Sequence, residues 1–411
     1  MGVKNILFIS YDGMTDPLGQ SQVIPYLQGL SKAGFKIFLL SCEKKEVFQQ
    51  HKKHIQQLLD QSKITWIPLN YTKKPPVIST LLDIVKLRKA ARRIHREHKL
   101  DMVHTRPGVP ALVGLWMKKT MGVKFLNDIR EFYADSRVEG GMWNTRIPMY
   151  MTIYNFFKKK ETEAVEKSDG IVCLTYAAES IIKEWSAYKP NTPLEVIPCS
   201  ADLQLFKAET VSEQDKETLR AELQIGAADF VISYLGSIGG WYLTAEMMHF
   251  CKILSDKIPN LKLFFISPHR HDEIKAAAAK FGIPADKIII RKANRQQVPL
   301  MLSLSRYSVF FIKPCYSKLS SSPTKHGEIM AMGIPLITNS GVGDVEMIVT
   351  KYQSGIVINE FTDEEFKTAA LKVASGQQYR SSGIRHGAEE FYSLDVAIEK
   401  YIRIYNSILN Q

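Results

Sequence analysis

The chain has 411 residues, 45% of them hydrophobic and 23% charged, which is ordinary globular composition and enough length for two or three domains. No apolar run is long enough to span a bilayer, the apolar stretch before Asp12 is too short for a secretory leader, and the five cysteines are odd in number, widely spaced and without a CxxC pair. Those features argue against a membrane span, a disulfide framework and a zinc site, and a reducing cytoplasm fits them best. The net charge of +12 is lopsided: residues 1–200 carry +11, the remainder +1, and residues 51–100 alone +9, so the first half expects an anionic partner.

In chain order, residues 4–10 read as a strand, followed by a polar Gly/Pro loop through Gln22. A helix over 23–33 ends at Gly34, and a strand follows over 35–41. Further strands are predicted at 64–68, 102–105, 123–129 and 170–174, with helices between them. The same grammar restarts after a linker near 196–210: a strand at 230–235, a helix over 244–257, then strands at 261–266, 288–290, 309–313 and 336–338. Alternating strands and helices predict parallel doubly wound sheets. The last segment, 394–410, has apolar residues at helical spacing and reads as a packed closing helix.

Residues 77–100 read as an amphipathic helix, with Leu81, Leu82, Ile84, Val85 and Leu87 among its apolar positions and Arg88, Lys89, Arg92, Arg93 and Arg96 among its charged ones. A solvated charged face is one reading and contact with an anionic membrane surface another. Nucleic acid is disfavoured because no recognisable module accompanies the charge.

The most informative stretch is Ser320-Ser321-Ser322-Pro323-Thr324-Lys325-His326-Gly327-Glu328-Ile329-Met330-Ala331-Met332-Gly333-Ile334-Pro335. Serines as N-cap candidates, Pro323 at the first helical position and Gly333 with Pro335 as a stop predict a short helix between two buried strands. A helix that starts at the carboxyl end of a parallel strand offers free N–H groups to an anion. Lys325 adds a cation where the helix dipole disfavours one. An ordinary capped helix with a solvated lysine is the alternative.

The segment from Pro323 to Pro335 resembles the donor-site motif of glycosyltransferase family 4, retaining enzymes of the GT-B fold. The likeness continues at Gly341-Val342-Gly343-Asp344, at Pro17-Leu18-Gly19-Gln20-Ser21-Gln22 and in the segment from Cys199 to Phe206 with Asp202. The resemblance implies two Rossmann-like domains facing a central cleft. An acceptor-binding domain would span 1–198, a nucleotide-sugar domain 199–390, and a C-terminal helix, 391–411, would pack back on the first.

It also implies site residues. Glu328 would hold the donor ribose, and Ser322, Thr324 and Lys325 the diphosphate, together with Gly236, Ser237 and Arg291; Gly19 would close over the donor. Gln20, Arg106 and Glu131 would receive the acceptor, while Asp128 and Arg130 would stand near the reacting sugar, with Lys325 as a third catalytic group. Two departures stand out. Ser320 occupies the place of the first glutamate of the family's E-x7-E motif, and the loop Gly236-Ser237-Ile238-Gly239-Gly240-Trp241-Tyr242 lacks the usual arginine and lysine, for which Lys325, Arg291 and Lys313 are candidate replacements.

The implied activity is retaining transfer of a sugar from a nucleotide-diphosphate donor to a saccharide or lipid-linked acceptor in cell-surface glycan synthesis. Neither a metal nor another cofactor is expected, because no Asp-x-Asp pair is present. The expected location is cytoplasmic, peripheral at the inner face of the membrane through the basic first half. The competing readings are a GT-B epimerase or phosphorylase, a Rossmann oxidoreductase, which lacks its G-x-G-x-x-G, and a non-enzymatic basic binding protein.

Overall fold

The computed structural model describes residues 2–75 and 77–410. The chain divides into two units: one formed by the chain up to Pro198 together with the segment from Leu394 onward, the other by Cys199–Ser393.

The first unit is built on β1 (Asn5–Ser10), β2 (Lys36–Glu43), β3 (Thr65–Asn70), β4 (Met102–Thr105), β5 (Lys124–Ile129), β6 (Gly170–Cys173) and β7 (Leu194–Val196). They form one parallel sheet in the order β3-β2-β1-β4-β5-β6-β7. Its helices are α1 (Pro17–Gln22), α2 (Ile24–Lys32), α3 (Lys45–Gln61), α4 (Ile78–His98), α5 (Val109–Met121), α6 (Tyr133–Glu139), α7 (Pro148–Lys167) and α8 (Tyr176–Glu184). The inner strands are near-continuous apolar runs because helices cover both faces of the sheet. Ile6, Phe8, Ile37 and Leu39 face one core cluster, and Leu7, Ile9, Phe38 and Leu40 the other.

The second unit repeats the plan with β8 (Phe230–Leu235), β9 (Leu261–Ile266), β10 (Ile288–Arg291), β11 (Tyr307–Val309), β12 (Leu336–Asn339) and β13 (Gly355–Ile358). They are parallel in the order β10-β9-β8-β11-β12-β13. Around them lie α9 (Glu213–Glu222), α10 (Thr244–Lys257), α11 (His271–Lys280), α12 (Val298–Leu302), α13 (Thr324–Ala331), α14 (Val345–Lys351), α15 (Asp363–Ala374) and α16 (Ser381–Phe391). The chain then returns to the first unit as α17 (Leu394–Leu409), which buries Tyr401, Ile404, Tyr405 and Ile408 among Tyr26, Leu27, Leu30 and Phe35.

Three local expectations are corrected. The polar stretch before Gln22 is not all loop: Pro17 starts α1, its missing N–H lost where a helix has no use for it. The strand expected over 309–313 stops at Val309, because the Asn339 amide side chain takes over the ladder. It accepts from Ile312 N (2.8 Å) and donates to Ile312 O (2.9 Å). Pro323 caps α13 rather than opening it, and none of the serines supplies a side-chain cap.

Candidate functional site

In parallel sheets, the loops that leave the carboxyl ends of the strands carry the chemistry. At that end of the second sheet, α13 begins with Thr324 and Lys325 and its first amides have no side-chain cap. Lys325 is 7% exposed, and its Nζ has no hydrogen-bond partner among the described residues. Aromatic faces surround it instead. Nζ lies 3.8 Å from the ring centre of Tyr242, 4.4 Å from Tyr234 and 5.7 Å from Phe310. Desolvation lowers its pKa to about 7, with Glu328 opposing. A buried unpaired ammonium is costly, and three ring faces compensate only in part. The strain persists where the surroundings impose it, and an anion brought to the helix start would relieve it.

Gly236, at the end of β8, has φ +108°, and a side chain there would stand 3.1 Å from Lys325 Nζ. Only glycine gives that backbone its left-handed turn while leaving the ammonium its space. Ser237 is exposed, and its carbonyl accepts from Tyr234 OH (2.6 Å), which fixes one of the rings around the lysine.

One turn into α13, Glu328 is 8% exposed and pairs with Arg295, whose Nη1 donates to Oε1 at 2.9 Å. Burial raises the Glu328 pKa and Arg295 opposes that rise. Arg295 was not singled out in the sequence. It comes from the loop after β10, within the run Arg291-Lys292-Ala293-Asn294-Arg295, where Arg291 was the candidate. Arg291 itself ends β10 and pairs with Glu222 on α9 (3.0 Å). Ser322 Oγ accepts from the Cys199 amide (3.2 Å), and Ser320 is fully buried with its hydroxyl on Ser317 O (2.8 Å). The loop after β8, which lacks cations in sequence, receives one in space: Arg270, from the loop after β9, donates to Ile238 O (3.0 Å). Lys318 lies 3.7 Å over Trp241.

In the first unit, the loop after β1 is pinned by a buried carboxylate that sequence reading missed. Glu43, at the end of β2, accepts from Met14 N (2.7 Å), Thr15 N (3.2 Å), Thr15 Oγ1 (2.7 Å) and Ser41 Oγ (2.6 Å). Gly19 packs directly on the backbone of Gly13 and Met14, and Gln20 donates to Thr15 O (3.0 Å).

Asp128 and Arg130, from the end of β5, belong to a buried network closed by α17. Tyr401 donates to Asp128 Oδ2 (2.9 Å) and accepts from Arg130 Nη1 (3.2 Å). His104 Nε2 lies 3.3 Å from the same Asp128 oxygen, and its Nδ1 is 2.8 Å from Tyr405 OH. Burial works to raise the Asp128 pKa, but Arg130 and His104 outweigh it and hold the carboxyl below its usual range. Asp128 Oδ1 has no partner among the described residues. Burial lowers His104, with Asp128 opposing. Arg106, also buried, lies 3.6 Å from Asp12 and donates to Gln22 O (3.4 Å).

Glu131 accepts from Ser136 Oγ (2.8 Å), pairs with Arg137 and lines a cavity of about 30 Å³ with Asn127, Gly108, Glu161 and Trp185. That volume is room for about one water. Burial pushes Glu161 up to about 7 despite Lys158 nearby.

These sheets and their order define the class: the fold is that of GT-B glycosyltransferases. Residues 215–389, less than half of the chain, match the family model described as Glycosyl transferases group 1. Among solved structures the chain is similar to a glycosyltransferase from Rickettsia africae (17% identity, TM-score 0.75, all of both chains covered). It is also similar to a sucrose-phosphate synthase from Thermosynechococcus elongatus (14%, 0.73, 99% of each chain). HepE of Anabaena in complex with UDP-glucose is a third (12%, 0.70, covering 98% of this chain and 99% of that one). No curated protein matches the chain. At these identities the likeness establishes the fold, and activity must be argued from residues.

Proposed function

We propose that the chain is a glycosyltransferase that moves a sugar, with retention, from a nucleotide-diphosphate donor to a hydroxyl of a saccharide or lipid-linked acceptor in cell-surface glycan synthesis. The observation that carries the reading is Lys325, a buried ammonium with no hydrogen-bond partner among the described residues, at the start of α13, which has no side-chain cap. A diphosphate is the ligand for that arrangement: the α13 amides and Lys325 would meet the charge that grows on it as the glycosidic bond breaks. The group 1 match spans these residues, and the likeness to a structure holding UDP-glucose agrees with a nucleotide-sugar donor.

On this reading Glu328, set by Arg295, takes the ribose hydroxyls. Ser322, Thr324, Gly236 and Ser237 border the diphosphate, and Arg270 is better placed than Arg291 to add charge to the loop after β8. The bond from the anomeric carbon to the diphosphate breaks while the bond from the acceptor oxygen forms on the same face, and the acceptor proton passes to the departing phosphate oxygen. Among the first unit's residues, Asp128 and Arg130 would serve the reacting sugar, Gln20, Arg106 and Glu131 the acceptor, and Gly19 the packing of the loop after β1. No metal is assigned to this chemistry. The protein would work at the cytoplasmic face of a membrane, its basic half toward anionic lipid.

A thermal-shift series with UDP, GDP, UDP-glucose and NAD(H) tests the donor assignment. Stabilisation by a nucleoside diphosphate is expected; stabilisation by NAD(H) alone, or by none of them, would count decisively against it. Glu328→Ala should keep the fold and lose most of the transfer, and near-normal transfer would remove Glu328 from the ribose site.

A further inference from the structure

The exposed apolar side chains of the described residues are not scattered. Of sixteen exposed large hydrophobics, nine fall in two stretches of the first unit. Ile78, Leu81, Leu82 and Val85 lie on α4, and Met142, Ile147, Met149, Met151 and Phe156 run into α7. The two stretches flank one small core: Ile84 of α4 packs into the same cluster as Trp143, Ile153 and Phe157. Single exposed apolar residues are normal, but a contiguous group marks an interaction surface.

Helical spacing extends the pattern. Positions 78, 81, 82 and 85 form one exposed stripe over the first turns of α4, and the stripe continues through Arg88, Lys89, Arg92, Arg93 and Arg96, all exposed. Arg88 and Arg92 are held over the Trp116 ring at 5.4 and 5.2 Å. The only acid between Ile78 and Arg96 is Asp83. It is 1% exposed and tied to Lys86 (2.9 Å), Thr72 (2.7 Å) and Tyr11 (3.0 Å). The exposed face of α4 is therefore apolar at one end and cationic along the rest, with no exposed acid until Glu97 in its last turn.

We propose that this face is a membrane-docking surface. The first turns of α4 and the apolar residues entering α7 insert among the lipids, while the cationic stripe rests on the phosphates of an anionic bilayer. It deepens the membrane part of the function proposed above and is independent of nucleotide binding. Charge decides the occupant. A second copy seated two-fold on this face would bring two cationic stripes together with no exposed acid between Ile78 and Arg96 on either to answer them, whereas lipid phosphate supplies the missing negative charge. Among the described residues no helix is long and apolar enough to cross a membrane, so the contact is made from one side.

The test is flotation of the full chain with vesicles of phosphatidylcholine alone or mixed with phosphatidylglycerol, at low and raised salt. The wild type should float with the anionic vesicles and not with the neutral ones. Combined Lys89→Gln, Arg93→Gln and Arg96→Gln should weaken partitioning on the order of 100-fold, roughly fivefold per cation near the surface. Combined Leu81→Glu and Val85→Glu should leave only weak binding that raised salt abolishes. Failure of the wild type to float at low salt, equal flotation with neutral vesicles, or wild-type behaviour of both variants would overturn the proposal. So would a dimer that the Leu81/Val85 variant dissociates. The UDP-induced thermal shift should be the same in all three proteins. Its presence without flotation fails the docking surface alone, and its absence with normal flotation fails the donor site alone.

Discussion

Lys325→Met separates stability from function because the two should move in opposite directions. In the unfolded chain the lysine titrates near its ordinary value of 10.5, whereas burial among Tyr234, Tyr242 and Phe310 lowers it to about 7 in the folded protein. Between those values the unfolded state binds more protons, so this group makes stability rise with pH across that window. Below the folded pKa both states are charged and the folded state bears the full penalty. Above 10.5 both are neutral and the penalty vanishes. The drop from 10.5 to about 7 corresponds to about 5 kcal/mol at most. Methionine keeps the stem and the packing but removes the ammonium. The variant should therefore be more stable than the wild type by several kcal/mol in slightly acidic buffer, with the difference fading as pH approaches that of free lysine. Its affinity for UDP should fall by about 2 kcal/mol, roughly 30-fold, the size of a hydrogen bond to a charged group. Urea denaturation across pH and titration with UDP measure the two effects. A variant less stable than the wild type in acidic buffer, or one that binds UDP as tightly, would refute the reasoning.

Three further outcomes follow from the same geometry. In mildly alkaline buffer, where Lys325 is largely neutral without ligand, UDP binding should take up close to one proton, because the diphosphate raises the lysine pKa; calorimetry in buffers of different ionisation enthalpy reads this. Tyr401→Phe removes the hydroxyl that links Asp128 to Arg130 and should cost about 3 kcal/mol in urea denaturation, since two buried charges lose a partner. Gly19→Ala places a methyl against the backbone of Gly13 and Met14, so the loop held by Glu43 must shift. A cost of about 2 kcal/mol and a marked loss of transfer are expected, and unchanged thermal stability with full activity would contradict the tight loop packing.

Most strands were legible because buried parallel strands are short apolar runs, while the short edge strands β7 and β13 were not; α10 was read at its observed boundaries, Thr244–Lys257. The second-unit motif was legible because its punctuation is local: glycine and proline close α13, and Lys325 and Glu328 lie three residues apart. The partners that give those residues their character were not legible, because they come from other loops. Arg295 reaches Glu328 from the loop after β10, and Arg270 reaches Ile238 from the loop after β9. Glu43 lies two residues past the strand expected over 35–41, yet three hydrogen bonds from Met14 and Thr15 make it the anchor of a loop some thirty residues earlier. The first turns of α4 mislead for another reason. Leu81, Leu82, Val85 and Leu87 wrap around the helix, so periodicity cannot say which stripe the core will take; Leu87 is buried and the other three are exposed.

The most direct test of the central claim is a crystal structure of the chain with UDP bound. The diphosphate should sit at the start of α13, within hydrogen-bonding reach of Lys325 Nζ and the Thr324 amide, with the ribose hydroxyls on Glu328. UDP lodged away from α13, or none bound at saturating concentration, would contradict it.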